Sequence, residues 1–145
     1  MTPDVNVLIA ASRSDHPHHK MAYVFLNKAV ADCAAGASLK LMPMVASSFL
    51  RLVTNSRIFN HPTPIAHAVS FLDALVAVPG VEIPLLGSEW PLLRRLCVEK
   101  KLRANDIPDA WLAAAVIQLG EKLVTFDADF KKLLGRTQVT VLASK

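Results

Sequence analysis

The sequence of 145 residues is poor in cysteine and has no long hydrophobic run. Cys33 and Cys97 are too few for a disulfide scaffold, and their spacing does not match a metal-binding motif, so we expect reduced thiols. No apolar run reaches the roughly 18 residues needed to span a bilayer. Asp4 also interrupts the segment in which a signal peptide would need its basic and apolar regions. The expectation is a cytoplasmic protein without membrane contact.

Charged residues make up only 19% of the chain, whereas hydrophobic residues make up 52%. This balance argues against disorder and provides enough apolar surface for a packed core. No repeat, low-complexity tract or linker interrupts the sequence, so we expect one domain over residues 1–145.

Acidic residues are fewer than basic ones, giving a formal net charge of +4 and an isoelectric point near 9.3. The basic residues form short clusters: Arg94-Arg95, Lys100-Lys101 with Arg103, and Lys131-Lys132 with Arg136. Two clusters flank the late aspartates in sequence. That pattern suits a nuclease, in which cations hold the phosphate backbone while carboxylates hold a metal. Solvated helix faces explain any single cluster equally well.

Apolar segments with helical and strand-like spacing alternate along the chain, which favours a layered α/β fold with a mostly parallel sheet. The predicted strands are Met1–Asp4, Leu39–Met42, Val81–Leu85, Lys122–Phe126 and Thr137–Leu142. The predicted helices are residues 5–12, 17–35, a segment after Pro43 with Val45 and Leu52 on one face, residues 65–76, residues 88–101 with Ser88 as a candidate cap, and residues 108–120.

Four aspartates stand where apolar runs stop or helices begin, namely Asp4, Asp109, Asp127 and Asp129. Asp109 shares a helical stripe with Leu112 and Val116, so its carboxylate is expected to face inward and to need a partner. Asp4 lies at a strand-to-helix junction, with Asn6 as its polar helper. Each position also has a simpler interpretation: a surface residue in a first helical turn, a turn residue after a strand, or an N-cap.

The carboxyl ends of parallel strands meet at one edge of a sheet, so these aspartates can converge although they are distant in sequence. Bringing carboxylates within about 4 Å costs several kcal/mol per pair even at an effective dielectric near 20. Protonation or a cation must relieve that repulsion. Ligands that are all oxygens suit Mg²⁺ or Mn²⁺.

Four segments together resemble the PIN-domain family, and specifically its VapC-type toxin ribonucleases of bacterial toxin–antitoxin systems. They are Asp4-Val-Asn-Val-Leu-Ile-Ala-Ala11, Ser48-Phe-Leu-Arg-Leu-Val-Thr-Asn55, Asp109-Ala-Trp-Leu-Ala-Ala114 and Thr125-Phe-Asp-Ala-Asp-Phe130. The resemblance covers nearly the whole chain in order. It implies a three-layer α/β/α fold with a mostly parallel central sheet, in a single PIN-like domain over residues 1–145.

The resemblance also implies an activity and partners. The chain would be a Mg²⁺- or Mn²⁺-dependent endoribonuclease that hydrolyses RNA phosphodiesters with metal-activated water. It would act as the toxin of a type II toxin–antitoxin pair, form a homodimer and be neutralised by a cognate antitoxin. Position by position, Asp4, Asp109 and Asp127 match the family's metal-binding acids, and Asp129 matches a frequent fourth.

One position departs from the family pattern. Many members have a glutamate before the Phe-Leu-Arg segment, whereas this chain has Ser48. Ser48 can still form a hydrogen bond through water. We expect Arg51, three residues later, to contact the scissile phosphate or an antitoxin, or else to be an ordinary surface residue. Thr125 is either a packed strand residue or a hydrogen-bonding partner of a ligand or phosphate.

Ser48 motivates an alternative function, a catalytically impaired PIN module that binds RNA or a protein without cleavage. A phosphotransfer domain with an acidic Mg²⁺ pocket ranks last, because such domains carry further acids near the first strand, where this chain has Asp4-Val-Asn6. Trp90 and Trp111 are expected to be core residues or anchors of a dimer interface rather than base-stacking platforms.

Overall fold

The computed structural model describes residues 1–143 and shows an α/β fold with parallel strand pairing, as the sequence predicts. The last two residues of the predicted 1–145 domain lie outside the described residues. The strands are β1 (Thr2–Pro3), β2 (Leu39–Lys40), β3 (Val81–Glu82), β4 (Leu123–Thr125) and β5 (Val139–Val141). The helices are α1 (Val5–Ser12), α2 (His19–Ala34), α3 (Pro43–Val53), α4 (Ile65–Val76), α5 (Trp90–Glu99) and α6 (Asp106–Gln118), with a 3₁₀ helix at Ala128–Lys132.

The parallel strands form two small sheets, one of order β1-β4-β5 and one in which β2 pairs with β3. A backbone hydrogen bond of 2.9 Å from Lys40 N to Met1 O connects them. The parallel pairing agrees with the alternation of strands and helices in the sequence, because parallel neighbours need long, usually helical crossovers.

The third strand is much shorter than the predicted Val81–Leu85. Beyond Glu82, Pro84 has no N–H for a sheet hydrogen bond, and the Ile83 and Leu85 side chains are 50% and 98% exposed. Apolar composition therefore overstated the length of this strand.

The start of α5 also differs from the sequence prediction. Ser88 is not its cap, because the helix begins at Trp90 and Glu89 occupies the N-cap position without a capping side-chain bond. Similarly, α6 begins at Asp106, two residues before the predicted start at residue 108, and Asn105 occupies its N-cap position.

The core surrounds α1, whose residues Val7 to Ala11 are all buried. This helix packs against α2 and α3 and against the end of β4. A helix buried on every side has little freedom to shift, so the polar residues at its N-terminus are held in a fixed place.

Strand register places the predicted acids at one edge. In the parallel pair β1–β4, Pro3 lies opposite Val124, so Asp4 and Thr125 follow at neighbouring positions beyond the pairing. Helix α6 leads into β4 through a short turn at Gly120 and therefore runs back along the sheet. Its N-terminus, with Asp109, consequently lies at the same carboxyl edge.

None of the helices formed by residues 1–143 combines the length and the apolar character needed to cross a membrane.

Candidate metal centre at the carboxyl edge of the sheet

Asp4 is buried at the end of β1 and caps α1. Its Oδ1 accepts a hydrogen bond from the backbone N of Val5, and its Oδ2 accepts one from the Thr125 hydroxyl, both at 2.7 Å. Burial raises the pKa of Asp4, the two hydrogen bonds partly offset this rise, and the charge of Asp127 adds to it. The net effect is upward, so the charged form of Asp4 is disfavoured at this position.

Thr125 is the centre of the polar network that joins β1 to β4. Besides donating to Asp4, its fully buried hydroxyl accepts from the Asn6 amide at 3.1 Å and from the backbone N of Asp127 at 3.0 Å. Asn6 Oδ1 accepts in turn from the backbone N of Phe126 at 3.2 Å. Asn6 therefore supports Asp4 through Thr125 and also fixes the chain as it leaves β4.

Asp127 and Asp129 adopt different environments although they are two residues apart. Asp127 is half-buried, and its Oδ1 accepts from the backbone N of Asp129 at 2.8 Å, which caps the 3₁₀ helix. The Asp129 carboxylate is 73% exposed and pairs with Lys132 at 3.0 Å. Asp127 is thus fixed beside Thr125, whereas Asp129 is engaged by a lysine at the rim.

The carboxyl of Asp109 has a strongly raised pKa. It is half-buried in the first turn of α6. Burial raises the pKa of its carboxyl to about 6, and the charges of other carboxylates add to the effect, in the order Asp4, Asp127, Asp106 and Asp129. The three acids predicted to hold a metal therefore lie within reach of one another's electric fields.

A groove of about 510 Å³ opens beside this group and is lined by Asp4, Asp109 and Ser48. Its remaining wall is mostly apolar and includes Val5, Met44, Leu93, Ile107 and Trp111. Ser48 thus lies in the wall beside the acids, where it contributes no carboxylate. Arg51 is exposed on α3 and does not line the groove.

The donor chemistry fits a hard divalent cation, although the ligands are not drawn together. Among residues 1–143, no three Asp, Glu, His or Cys side chains lie close enough to hold a metal ion as they stand. Carboxylate oxygens are nevertheless the ligands that Mg²⁺ and Mn²⁺ prefer, and a cation would remove the repulsion that raises the pKa of Asp109. Binding would require the carboxylates to turn toward one another.

Two contacts around the site escaped the sequence analysis. Glu89 is buried and accepts hydrogen bonds from Trp111 Nε1 at 2.8 Å and from Gly87 N at 2.6 Å, which fixes the indole in the groove wall. No local pattern signals a pair 22 residues apart. The Asp129–Lys132 pair, in contrast, has a readable i,i+3 spacing. Trp90 is 61% and Trp111 41% exposed, so neither is a core residue. The other predicted role, that they anchor a dimer interface, stays a prediction.

The raised pKa of Asp109 predicts a pH-dependent effect of Asp109→Asn. The folded protein holds the proton up to about pH 6, whereas the unfolded chain loses it near pH 3.8. The free energy of unfolding of the unmodified protein therefore falls as the pH rises through this window, relative to that of the variant. After allowance for solvent screening we expect the variant to be more stable by about 1 kcal/mol at pH 7.5 and unchanged at pH 4.

Urea unfolding at both pH values measures this difference. The same change at the exposed Asp73 on α4 is the control and should produce no comparable pH dependence. A destabilised Asp109→Asn protein at pH 7.5 would contradict the repulsion between the carboxylates.

Comparison with known proteins bears on the identity of this site. The PIN-domain family model matches residues 1–134. Ribonuclease VapC25 of Mycobacterium tuberculosis is 39% identical over 133 residues, which cover 89% of this chain and 89% of that protein.

Two crystal structures share the fold. One is VapBC2 from Rickettsia felis bound to a DNA fragment from their promoter, with a TM-score of 0.67, 18% identity, and coverage of 97% of this chain and 96% of that one. The other is VapC20 of Mycobacterium tuberculosis, a Sarcin-Ricin loop cleaving toxin, with a TM-score of 0.64, 17% identity, and coverage of 90% and 92%. The family match and the identity to VapC25 lead to one conclusion: the chain belongs to the PIN-domain family and, within it, to the VapC ribonucleases.

Proposed function

We propose that this chain is a Mg²⁺- or Mn²⁺-dependent endoribonuclease that acts as the toxin of a type II toxin–antitoxin pair, with residues 1–145 forming one PIN-like domain. The observation that carries the proposal is the mutual influence of Asp4, Asp109 and Asp127, which come from three distant parts of the chain. A fold that only needed stability would gain by separating these charges. Membership of a nuclease family supports the same function.

Asp4, Asp109 and Asp127 would hold the cation, and Asp129 would hold or orient a water molecule. Bound there, the cation would polarise the scissile phosphodiester and lower the pKa of a coordinated water. The chain's own contribution is orientation. The hydrogen bonds from Thr125 and Val5 fix the Asp4 carboxylate, and Asn6 fixes the backbone on which Asp127 follows.

RNA is the proposed substrate, as the name of the related VapC25 indicates for that protein. A cognate antitoxin is the proposed protein partner, supported by the structurally similar VapBC2 complex. Arg51, exposed on α3, is proposed to contact RNA or the antitoxin. We also propose a homodimer, supported by exposed apolar residues on α5, where Trp90 and Val98 are 61% and 74% exposed.

The direct test of this function is the variant Asp127→Asn. We expect it to reduce Mg²⁺-dependent cleavage of total RNA by about 100-fold or more, because one charged ligand is lost. The fold should persist, since the Asn side-chain oxygen can still accept the hydrogen bond from Asp129 N. Asp73→Asn is the matched control, with full activity expected. Cleavage by Asp127→Asn at the unmodified rate, or cleavage unaffected by EDTA, would contradict the proposal.

A second candidate function is a catalytically impaired PIN module that binds RNA or a protein. The observation in its favour is Ser48, which lies in the groove wall beside Asp4 and Asp109 and supplies no negative charge. If this wall position limits metal binding, a carboxylate placed there should restore it.

We therefore predict that Ser48→Glu tightens Mg²⁺ and Mn²⁺ binding in calorimetry by about tenfold, which corresponds to about 1.4 kcal/mol. Ser70→Glu adds the same charge at an exposed position on α4, outside the groove, and should have less effect. Millimolar binding by the unmodified protein supports the nuclease. An unmodified protein that binds no metal, beside a Ser48→Glu protein that does, would identify the impaired module instead.

A further inference from the structure

A second cavity, of about 480 Å³, shares Asp109 with the groove but has a different character. It lies between the loop that follows α5 and the 3₁₀ helix, and five of its eight lining residues are charged. Its volume is within the range of small-molecule sites, roughly 300–1,000 Å³. The proposed function uses Asp109 and Asp129 in the wall of this cavity but assigns no role to its other lining residues.

One lysine from each of two basic clusters that are distant in sequence lines the cavity. Lys100, at the C-terminal end of α5, and Lys132, at the end of the 3₁₀ helix, both line it. Lys132 is 78% exposed, and its pair with the equally exposed Asp129 is weak enough to exchange for another anion. Two movable ammonium groups next to Asp109 are therefore available to a phosphate.

The same cavity has an apolar part formed by Leu102, Phe130 and Leu133. The loop that carries Leu102 is held in an unusual conformation, because Lys101 and Ala104 on either side both have a φ of 50°. For residues other than glycine this left-handed region costs about 1 kcal/mol each. Leu102 N donates to Cys97 O at 3.0 Å and remains half-buried. The strained loop thus holds an apolar side chain beside the lysines, and strain of this kind is found at ligand sites.

We propose that this cavity, which we name the lysine pocket, binds the nucleotide next to the scissile phosphate of a single-stranded RNA. The ammonium groups of Lys100 and Lys132 bind its phosphate, and the base packs against Leu102 and Leu133. The assignment rests on the proposed ribonuclease function, because Asp109 is the residue common to the lysine pocket and the acidic site. A bound RNA strand would therefore run from the acidic site into the lysine pocket.

The lysine pocket also contains charges that oppose a phosphate. Three carboxylates, Asp106, Asp109 and Asp129, line it and outnumber the two lysines. The ammonium groups of Lys100 and Lys132 must therefore supply the attraction to a phosphate, so their removal should be felt directly in RNA affinity.

The test compares two double variants in an Asp127→Asn background, which limits cleavage. Lys100→Ala/Lys132→Ala removes both pocket lysines, whereas Lys28→Ala/Lys122→Ala removes the same charge from α2 and from the opposite end of β4. Fluorescence anisotropy with a short labelled single-stranded RNA is measured over a range of NaCl concentrations. The lysines are exposed, so all proteins should fold.

Each lost phosphate contact lowers the slope of log affinity against log salt by about 0.7 for single strands. Because both lysines bind the same phosphate, we expect the pocket variant to lose about 0.7 in slope, which makes its affinity about fivefold weaker at 0.1 M salt and equal near 1 M. The control should keep the slope of its parent. Equal slopes and affinities for the two double variants would overturn the lysine pocket.

The two proposals can fail separately. If the unmodified protein cleaves RNA in a Mg²⁺-dependent way while the double variants bind RNA alike, the lysine pocket is wrong and the nuclease stands. If the unmodified protein cleaves no RNA but the pocket variant loses the predicted slope, the nuclease is wrong and RNA binding at the pocket stands.

Discussion

The hydrogen bond from Thr125 to Asp4 joins the ends of the two strands on which the site depends. It crosses from β4 to β1 in a buried environment, where an unpaired carboxylate oxygen would carry the full cost of desolvation. The same hydroxyl accepts from Asn6 and from the backbone of Asp127. One side chain therefore fixes where two of the three proposed ligands lie, and the buried helix α1 holds the third member of this network, Asn6, in place.

The carboxylates that these hydrogen bonds hold in place repel one another. Asp109 shows it most clearly, since its pKa rises to about 6 under the influence of burial and four neighbouring acids. The carboxylates also stand apart, since no three metal-binding side chains in residues 1–143 are close enough to hold an ion together. A bound cation would remove the repulsion, and this relief would add to the free energy of cation binding. The repulsion among the carboxylates would thus favour the binding of Mg²⁺ or Mn²⁺, because the ion neutralises it.

The sequence predicted the parts of the fold that follow from periodicity and strand order. Asp4 and Asp127 could be placed at one edge because the carboxyl ends of parallel strands meet there. The structure adds that α6 runs back along the sheet and brings Asp109 to the same edge. The hydrogen bonds around Thr125 could not be predicted from the sequence, because they depend on the strand register that sets Pro3 opposite Val124. Strand length was overstated at Ile83 and Leu85, where apolar residues face outward. Composition cannot distinguish an apolar residue in the core from one exposed on the surface.

The central claim is that Asp4, Asp109 and Asp127 together form a divalent cation site. Crystals soaked in Mn²⁺ and measured near the manganese absorption edge test it most directly, because the anomalous signal locates the ion without reference to activity. The account predicts an anomalous peak at the carboxyl edge of the sheet, with oxygens of all three aspartates at about 2.0–2.2 Å, close to the distances for Mg²⁺. A fully soaked crystal with no peak at that edge, or with manganese bound only elsewhere, would contradict it.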